Sequence, residues 1–470
     1  MNRRPSIKGN WLVIAVVASA CSAAYAQQVF YVAPAAQGAG NGLSASSAAQ
    51  YRSQAFWQGV QAALQQGPVT VRFIDGTYAD DTLYLTRIGH PEHTLTLRGS
   101  ASGGAVFNSN FNWNIRLRGS QNIVFEHLRF TGDVNNFALH MQDYEGTPTR
   151  QIVVQHCRFV DLPDARYGAI GITFQTHDIT IRNNTFQRVG KGAGAHMIYT
   201  DHGPYNIYVH QNHFEDIPGD YVRFRDEVGY FEVIGNTFLS TKPALNRPFV
   251  SMPIFNDVNP GDEFFSTSMV IRDNRFEYHP QLPRGIDPAQ DWYGQAISFA
   301  NFGFNSPGYT FQLTPQQAQA LEEGDIQARI ALLKQLTGID LEQVFIEGNE
   351  FIYVPMQVTY GSLPQYGAPS SGWRGFIDIT ELVTGAHVPE PSAAALLLTG
   401  MALMLRRHAR PAGTPAADLM TAAFSGSPAA AVSLELHKAE GGFLAPRGSV
   451  GVAEQNVLWR IIPFLKGGSS

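Results

Sequence analysis

The stretch ITIRNNTF at 179–186 decides how the chain folds, because it recurs. IYVHQNHF follows at 207–214 and FEVIGNTF at 231–238. MVIRDNRF (269–276) and VFIEGNEF (344–351) repeat the pattern, while IVFEHLRF (123–130) and IVVQHCRF (152–159) carry it without the asparagine. The closing residues Phe130, Phe159, Phe186, Phe214, Phe238, Phe276 and Phe351 are separated by 29, 27, 28, 24, 38 and 75 positions. A spacing of 24–29 residues matches one coil of a solenoid. One coil cannot bury its own apolar face, and stacking neighbours buries a continuous core. Alternation within each copy turns the first and third residues inward on a short strand. The asparagine is expected at the turn, where its tolerance of left-handed backbone is useful. Stacked coils would set these asparagines in a hydrogen-bonded ladder and the phenylalanines in a column.

A second strand lies between the copies: AIGITF (169–174), HMIYTD (196–201) and YVRFRD (221–226). Period-2 alternation in the last predicts Val222 and Phe224 inward, with Tyr221, Arg223 and Arg225 outward. The composition agrees with a β-rich solenoid. Apolar residues make up 44% of the 470-residue chain, enough for a core, and charged residues only 15%. A net charge of −6 argues against a nucleic-acid binder, which would carry a basic stripe. Two cysteines exclude a disulfide framework.

These features predict an all-β fold, a single-stranded right-handed parallel β-helix with an N-terminal capping helix and a small helical insertion. Residues 27–72 form the N-terminal cap, including an amphipathic helix from Phe56 to Leu64, and 73–386 form the solenoid. Within it, 302–342 is a helical insertion opened by an N-cap at Thr314, Pro315 at N1 and a capping-box Gln317. It is read as structural decoration packed on one flank rather than as the wall of a cleft.

The two ends read as addresses. Arg3, Arg4 and Lys8 precede an apolar run and Ala24-Tyr25-Ala26, so 1–26 is a secretory signal peptide. Removal of Cys21 with it leaves Cys157 alone. At 387–410, Pro389-Glu390-Pro391, an apolar stretch over 392–405 and a basic cluster from Arg406 to Arg410 resemble the bacterial PEP-CTERM sorting signal. That resemblance implies a Gram-negative source, transient membrane association through 392–405 and processing by an exosortase-type protease. It places the protein in the cell envelope, at the outer surface or in an extracellular matrix. A low-complexity segment, 411–470, follows and is expected to be disordered.

The opening FYVAP (30–34), Gly42-Leu43-Ser44 and DGTY (75–78) resemble the start of many secreted β-helix proteins. With the repeats, they resemble the pectate-lyase-like superfamily, which includes lyases, hydrolases, epimerases and non-catalytic binders. Charge concentrates in two successive coils, at His196, Tyr199, Asp201, His202 and Tyr205, and again at Asp220, Tyr221, Arg223, Arg225, Asp226 and Glu227. Strands one coil apart stand about 4.8 Å from each other, so these residues should form one patch.

Such a patch suits an acidic polysaccharide or exopolysaccharide. Arg223 and Arg225 would pair with a uronate carboxylate, and His196 and Tyr199 would supply the base and acid of a β-elimination. His202, Tyr205 and Tyr221 would bind substrate. Asp201, Asp226 and Glu227 would hold Ca²⁺ if an ion is used, although no cofactor is demanded. The function read from the sequence is a surface-associated, monomeric protein that acts on or binds polysaccharide, with a uronate lyase as the enzyme class. The alternatives are a non-catalytic structural or adhesive matrix protein and a glycoside hydrolase, which would need paired carboxylates such as Asp201 with Asp226.

Overall fold

The computed structural model describes residues 27–384, apart from 80, 226–227, 243–246, 255–263, 282–286, 302–312, 340 and 363–372. The predicted signal peptide (1–26), the predicted sorting segment (387–410) and residues 411–470 lie outside the described residues. Within them, strands of three consecutive turns of chain fall into three sheets, here A, B and C, of 11, 9 and 10 strands. The strands pair in parallel with the corresponding strand one coil away, except that the last strand of sheet C, Gly375–Asp378, runs antiparallel to Met356–Ser362. In sheet A the register runs Ile123, Ile152, Ile179, Ile207, Phe231, Met269, Val344. In sheet B it runs Phe107, Phe130, Phe159, Phe186, Phe214, Phe238, Phe276, Phe351. The chain is a parallel β-helix, and the repeat quoted above is its coil.

Two columns hold successive coils in register. The phenylalanines of sheet B stack face to face, with centroids 4.6 Å apart for Phe130–Phe159 and 4.8 Å for Phe186–Phe214. Aromatic pairs add about 0.5–1.5 kcal/mol each beyond the area they bury. Beside them, the Asn184 side chain donates to Asn212 at 3.0 Å, Asn212 to Asn236 at 3.1 Å, Asn236 to Asn274 at 3.0 Å and Asn274 to Asn349 at 3.0 Å. Each asparagine also accepts from a backbone N–H of the preceding coil, as Asn212 does from Asn184 N. The left-handed turn falls one residue earlier than the sequence predicts. Positive φ belongs to His127, His156, Asn183, Gln211, Gly235, Asp273 and Gly348, not to the ladder asparagines. The ladder residue must aim its amide along the solenoid axis, so its neighbour makes the turn.

The ends of the stack are covered, as exposed strand edges require. Helix α1 (Gln54–Leu64) is capped by Ser53, which accepts from Phe56 N, and it buries Phe56, Trp57, Val60, Ala63 and Leu64. Near the other end, α2 (Pro315–Glu323) carries the Thr314/Gln317 capping box, and α3 (Ile326–Thr337) ends at Gly338 with φ 69°. Arg329 of α3 donates to Leu321 O and pairs with Glu381 of the short helix α4 (Thr380–Val383). The insertion therefore joins the C-terminal end of the core, with Leu321 and Leu333 inside it.

Candidate functional site

The outward face of sheet C carries the chemistry, and a recurring irregularity sets which residues reach it. Most of its strands turn two consecutive residues inward: Ala138-Leu139, Ala169-Ile170, Met197-Ile198, Tyr221-Val222, Phe249-Val250 and Ala296-Ile297 are all core residues. The signature is a shared acceptor, as where Met197 N and Ile198 N both bond Tyr221 O at 3.0 Å. This is a bulge-like kink repeated in successive coils, so the register is kept on either side, with Gly168 opposite His196 and Ile170 opposite Ile198.

The bulge overturns one sequence expectation. Tyr221 is fully buried, with its hydroxyl donating to Leu239 O at 2.8 Å, so it is a core residue and not a substrate contact. Simple alternation fails there because the inward pair shifts its phase by one.

Beyond the bulge, the outward residues form two rows along the solenoid axis. One runs Tyr84, Arg116, His140, Gly171, Tyr199, Arg223, Ser251, Ser298, Thr359. Beside it lie Thr86, Arg118 and Gln142 at one end, and Thr173 with Asp201 further on.

The predicted patch divides between these levels. Arg223 is only 5% exposed. Its Nε donates to Asp220 at 2.6 Å, Ser251 donates to the same carboxylate oxygen at 2.5 Å, and the guanidinium lies 5.4 Å from the Trp292 ring centroid. His196 is buried and stacks on Tyr199 at 5.2 Å. Burial first, and then the cations of Arg223, Arg247 and Arg225, hold it well below the usual histidine range. It is neutral and faces Asp220 at 3.8 Å without the charge for an ion pair. His196 and Arg223 are therefore parts of a buried network and do not meet solvent as base and carboxylate clamp.

Nearer the surface lie the half-buried Asp201, His202 and Arg225, with Tyr199, 8% exposed, beneath them. Arg225 donates to the Tyr199 hydroxyl at 3.3 Å, and His202 Nδ1 lies 3.1 Å from Asp201. Tyr205 starts a strand of sheet A instead and stacks on His177 at 4.5 Å, so it stands on another face. Asp226 and Glu227 lie outside the described residues. Among the described residues, no group of three or more His, Cys, Asp or Glu side chains could hold a metal ion. Asp201, the one described member of the predicted Ca²⁺ set, lies 3.1 Å from His202 Nδ1.

Several residues that the sequence reading passed over belong to the same face. Phe137 packs against Tyr199 at 5.9 Å, against Tyr167 at 5.9 Å and against His140 at 5.3 Å. Its ring occupies the space above Gly171, where a Cβ would lie 2.7 Å from it. His140 stacks on Trp113 at 6.0 Å, and Arg116 lies 4.0 Å over the Trp113 ring. Burial, with Arg116 nearby, lowers the His140 pKa to about 3. In the sequence, WNIRLR (113–118) is an ordinary alternating strand. Aligning it coil by coil with YVRFRD, which puts Arg116 in the row of Arg223, was the signal that could have found it.

No family model matches the chain, and no curated protein matches it. Among solved structures, jun a 1, the major allergen from cedar pollen, is 12% identical over 76% of this chain and 87% of its own, with a TM-score of 0.32. The pectate lyase Pel9A is 10% identical over 73% and 79%, with a TM-score of 0.27. The tailspike gp49 from Acinetobacter baumannii bacteriophage Fri1, a capsular polysaccharide depolymerase, is 11% identical over 69% and 61%, with a TM-score of 0.30. At these scores the fold assignment stands on the strand pairing of the chain itself.

Proposed function

We propose that the protein binds a polysaccharide laid along the outward face of sheet C. The observation that carries this is the continuous band of aromatic and polar side chains from Tyr84 to Arg225, one position per coil of about 4.8 Å. Rings such as Tyr84, 46% exposed, and Tyr167, 38% exposed, offer flat apolar surface to the C–H faces of sugars. The polar groups between them fix orientation. The polymer would run parallel to the solenoid axis, so successive sugars meet successive coils.

Gel retardation of the full chain against a panel of acidic and neutral glycans tests this. Binding that falls about 10-fold in Tyr167→Ala and Tyr84→Ala, with unchanged melting, supports it. No retardation by any glycan sinks it.

A second reading is favoured by the contact between Arg225 and the Tyr199 hydroxyl. Beside a cation, that phenol is placed to act as the base of a β-elimination. It would take the C5 proton of a uronate. The electrons would form the C4–C5 double bond, the bond from C4 to the glycosidic oxygen would break, and that oxygen would be protonated on departure. An ultraviolet-absorbing unsaturated product that vanishes in Tyr199→Phe supports this reading, whereas binding without product leaves a non-catalytic matrix protein. The hydrolase reading rests on Asp201 with Asp226, and Asp226 lies outside the described residues. Export through 1–26, sorting and exosortase processing through 387–410, and a surface location are part of the same proposal and rest on the sequence motifs.

A further inference from the structure

Several arginines among the described residues meet an acid, as Arg52 meets Asp81, Arg87 Glu145, Arg98 Glu126, Arg188 Asp161, Arg223 Asp220 and Arg275 Glu277, and Arg150 and Arg182 each donate to a glutamine one coil away. Arg116 and Arg118 differ in being neighbours. They lie side by side on the outward face of one sheet C strand, and neither has a carboxylate within 4 Å among the described residues. Their partners are neutral. Arg116 donates to Gln142 Oε1 at 2.6 Å, and Arg118 donates to Thr86 Oγ1 through Nε at 3.2 Å and Nη2 at 3.1 Å.

Aromatic faces hold both guanidiniums. Arg116 lies over Trp113, and Arg118 lies 4.7 Å from the Tyr144 ring centroid and 5.3 Å from that of Tyr84. Two cations set next to each other cost energy, visible in the lowering of the Arg116 pKa by burial and by Arg118. Nothing in the packing requires that cost, because a solvated strand face is served as well by uncharged residues. Beside the pair, the buried His140 is 7% exposed and its Nδ1 has no hydrogen-bond partner among the described residues; nor has Trp113 Nε1. The face also opens toward a recess of about 390 Å³ lined by Arg52, Trp57, Tyr84, Thr86 and Arg87.

We infer that Arg116 and Arg118 form a subsite for the anionic substituent of a sugar, held by the planar guanidinium forks with the sugar ring against Trp113 or Tyr144. This rests on the polysaccharide reading of sheet C and adds to it the class of polymer and the place where charge is read. The subsite lies three coils, about 14 Å, from Tyr199, so one extended chain spans both. Stacking fixes each fork in place before the ligand arrives, which lowers the entropic cost of a bidentate contact. The shared chemistry is an oxyanion on a sugar, either a uronate carboxylate or a sulfate ester.

The test titrates the full chain with polygalacturonate, dextran sulfate and neutral dextran at two salt concentrations. The wild-type chain should prefer an acidic polymer and lose affinity as salt rises. Arg116→Gln with Arg118→Gln should weaken acidic binding about 10-fold per arginine and leave any neutral binding intact. Lysine at both positions, which keeps charge but not the fork, should restore only part. Which acidic polymer loses affinity in the double variant identifies the oxyanion. Melting curves check folding, and the single Arg118→Gln variant serves if the double variant does not fold. Equal acidic binding by wild type and variant overturns the subsite while the polysaccharide reading stands. Wild-type binding of neutral and acidic polymers alike overturns it too. A wild-type chain that binds no polymer overturns both.

Discussion

Arg116 and Arg223 occupy the same row of sheet C, four parallel steps apart with Gly171 midway, and their surroundings differ. Arg223 is buried, paired to Asp220 and roofed by Trp292. Arg116 rests on Trp113, beside another cation and without an acid. The strands around them, WNIRLR and YVRFRD, are close in pattern. The difference is what lies above the sheet, and it separates an arginine that holds the fold together from one that is free to meet a ligand. Charge density in the sequence pointed to the 196–227 end of the face, where Arg223 and Asp220 neutralise each other below the surface.

Four measurements would break or sharpen this contrast. The largest effect is expected at the buried end. Asp220→Asn leaves Arg223 without its counter-charge and should cost about 3–5 kcal/mol in urea unfolding. A loss below 1 kcal/mol would mean that the network is not the structural element described above.

Acid comes next, through the histidines of both regions. His140, with a pKa near 3 in the folded chain, takes up its proton far more readily once unfolded, near 6.5. Its contribution to stability is complete above pH 6.5 and is lost as pH falls toward 3, by up to about 1.4 kcal/mol per pH unit. His196 is shifted the same way. Melting temperature should fall over that window, and His140→Gln should flatten part of the slope. An unchanged slope would place His140 in contact with solvent.

Between the two regions stands Gly171. A methyl group there would displace the Phe137 ring, so Gly171→Ala should cost about 1–3 kcal/mol and weaken glycan binding. Wild-type affinity with displaced stability would detach Phe137 from the binding face. The smallest change is expected at an exposed pair away from the face. Lys191 bonds Asp164 at 2.6 Å with its side chain 70% exposed, and Lys191→Ala should alter stability by less than about 0.5 kcal/mol and binding not at all.

Much of the fold was legible because its signals are local and repeated. The spacing from Phe130 to Phe351 counts coils, and the asparagines from Asn184 to Asn349 mark the ladder. The Thr314/Gln317 capping box marks the inserted helix. Tyr221 was misread because a bulge leaves no mark in residue type. It shows only as two amides converging on one carbonyl of the next coil.

The site was half legible. Tyr199, Asp201, His202 and Arg225 do gather at one place, since a one-coil separation is readable from spacing. Tyr205 fell on another sheet because the chain turns between Asp201 and it. Arg223 fell below the surface because Trp292, some 70 residues further on, stacks over it, and His196 lies beneath the Tyr199 ring.

The sequence alone determined that this is a stack of parallel coils with an asparagine ladder and a phenylalanine column. Those features recur at a fixed period, and each residue's role follows from its neighbours within one coil. Only the tertiary structure decided which polar side chains are reachable. Exposure is a property of what packs above a residue, supplied by segments of distant number, and no periodicity encodes it. Arg116 and Arg223 share a row and a residue type, and their roles were set by Asp220 and Trp292 at one end and by Trp113 and Arg118 at the other.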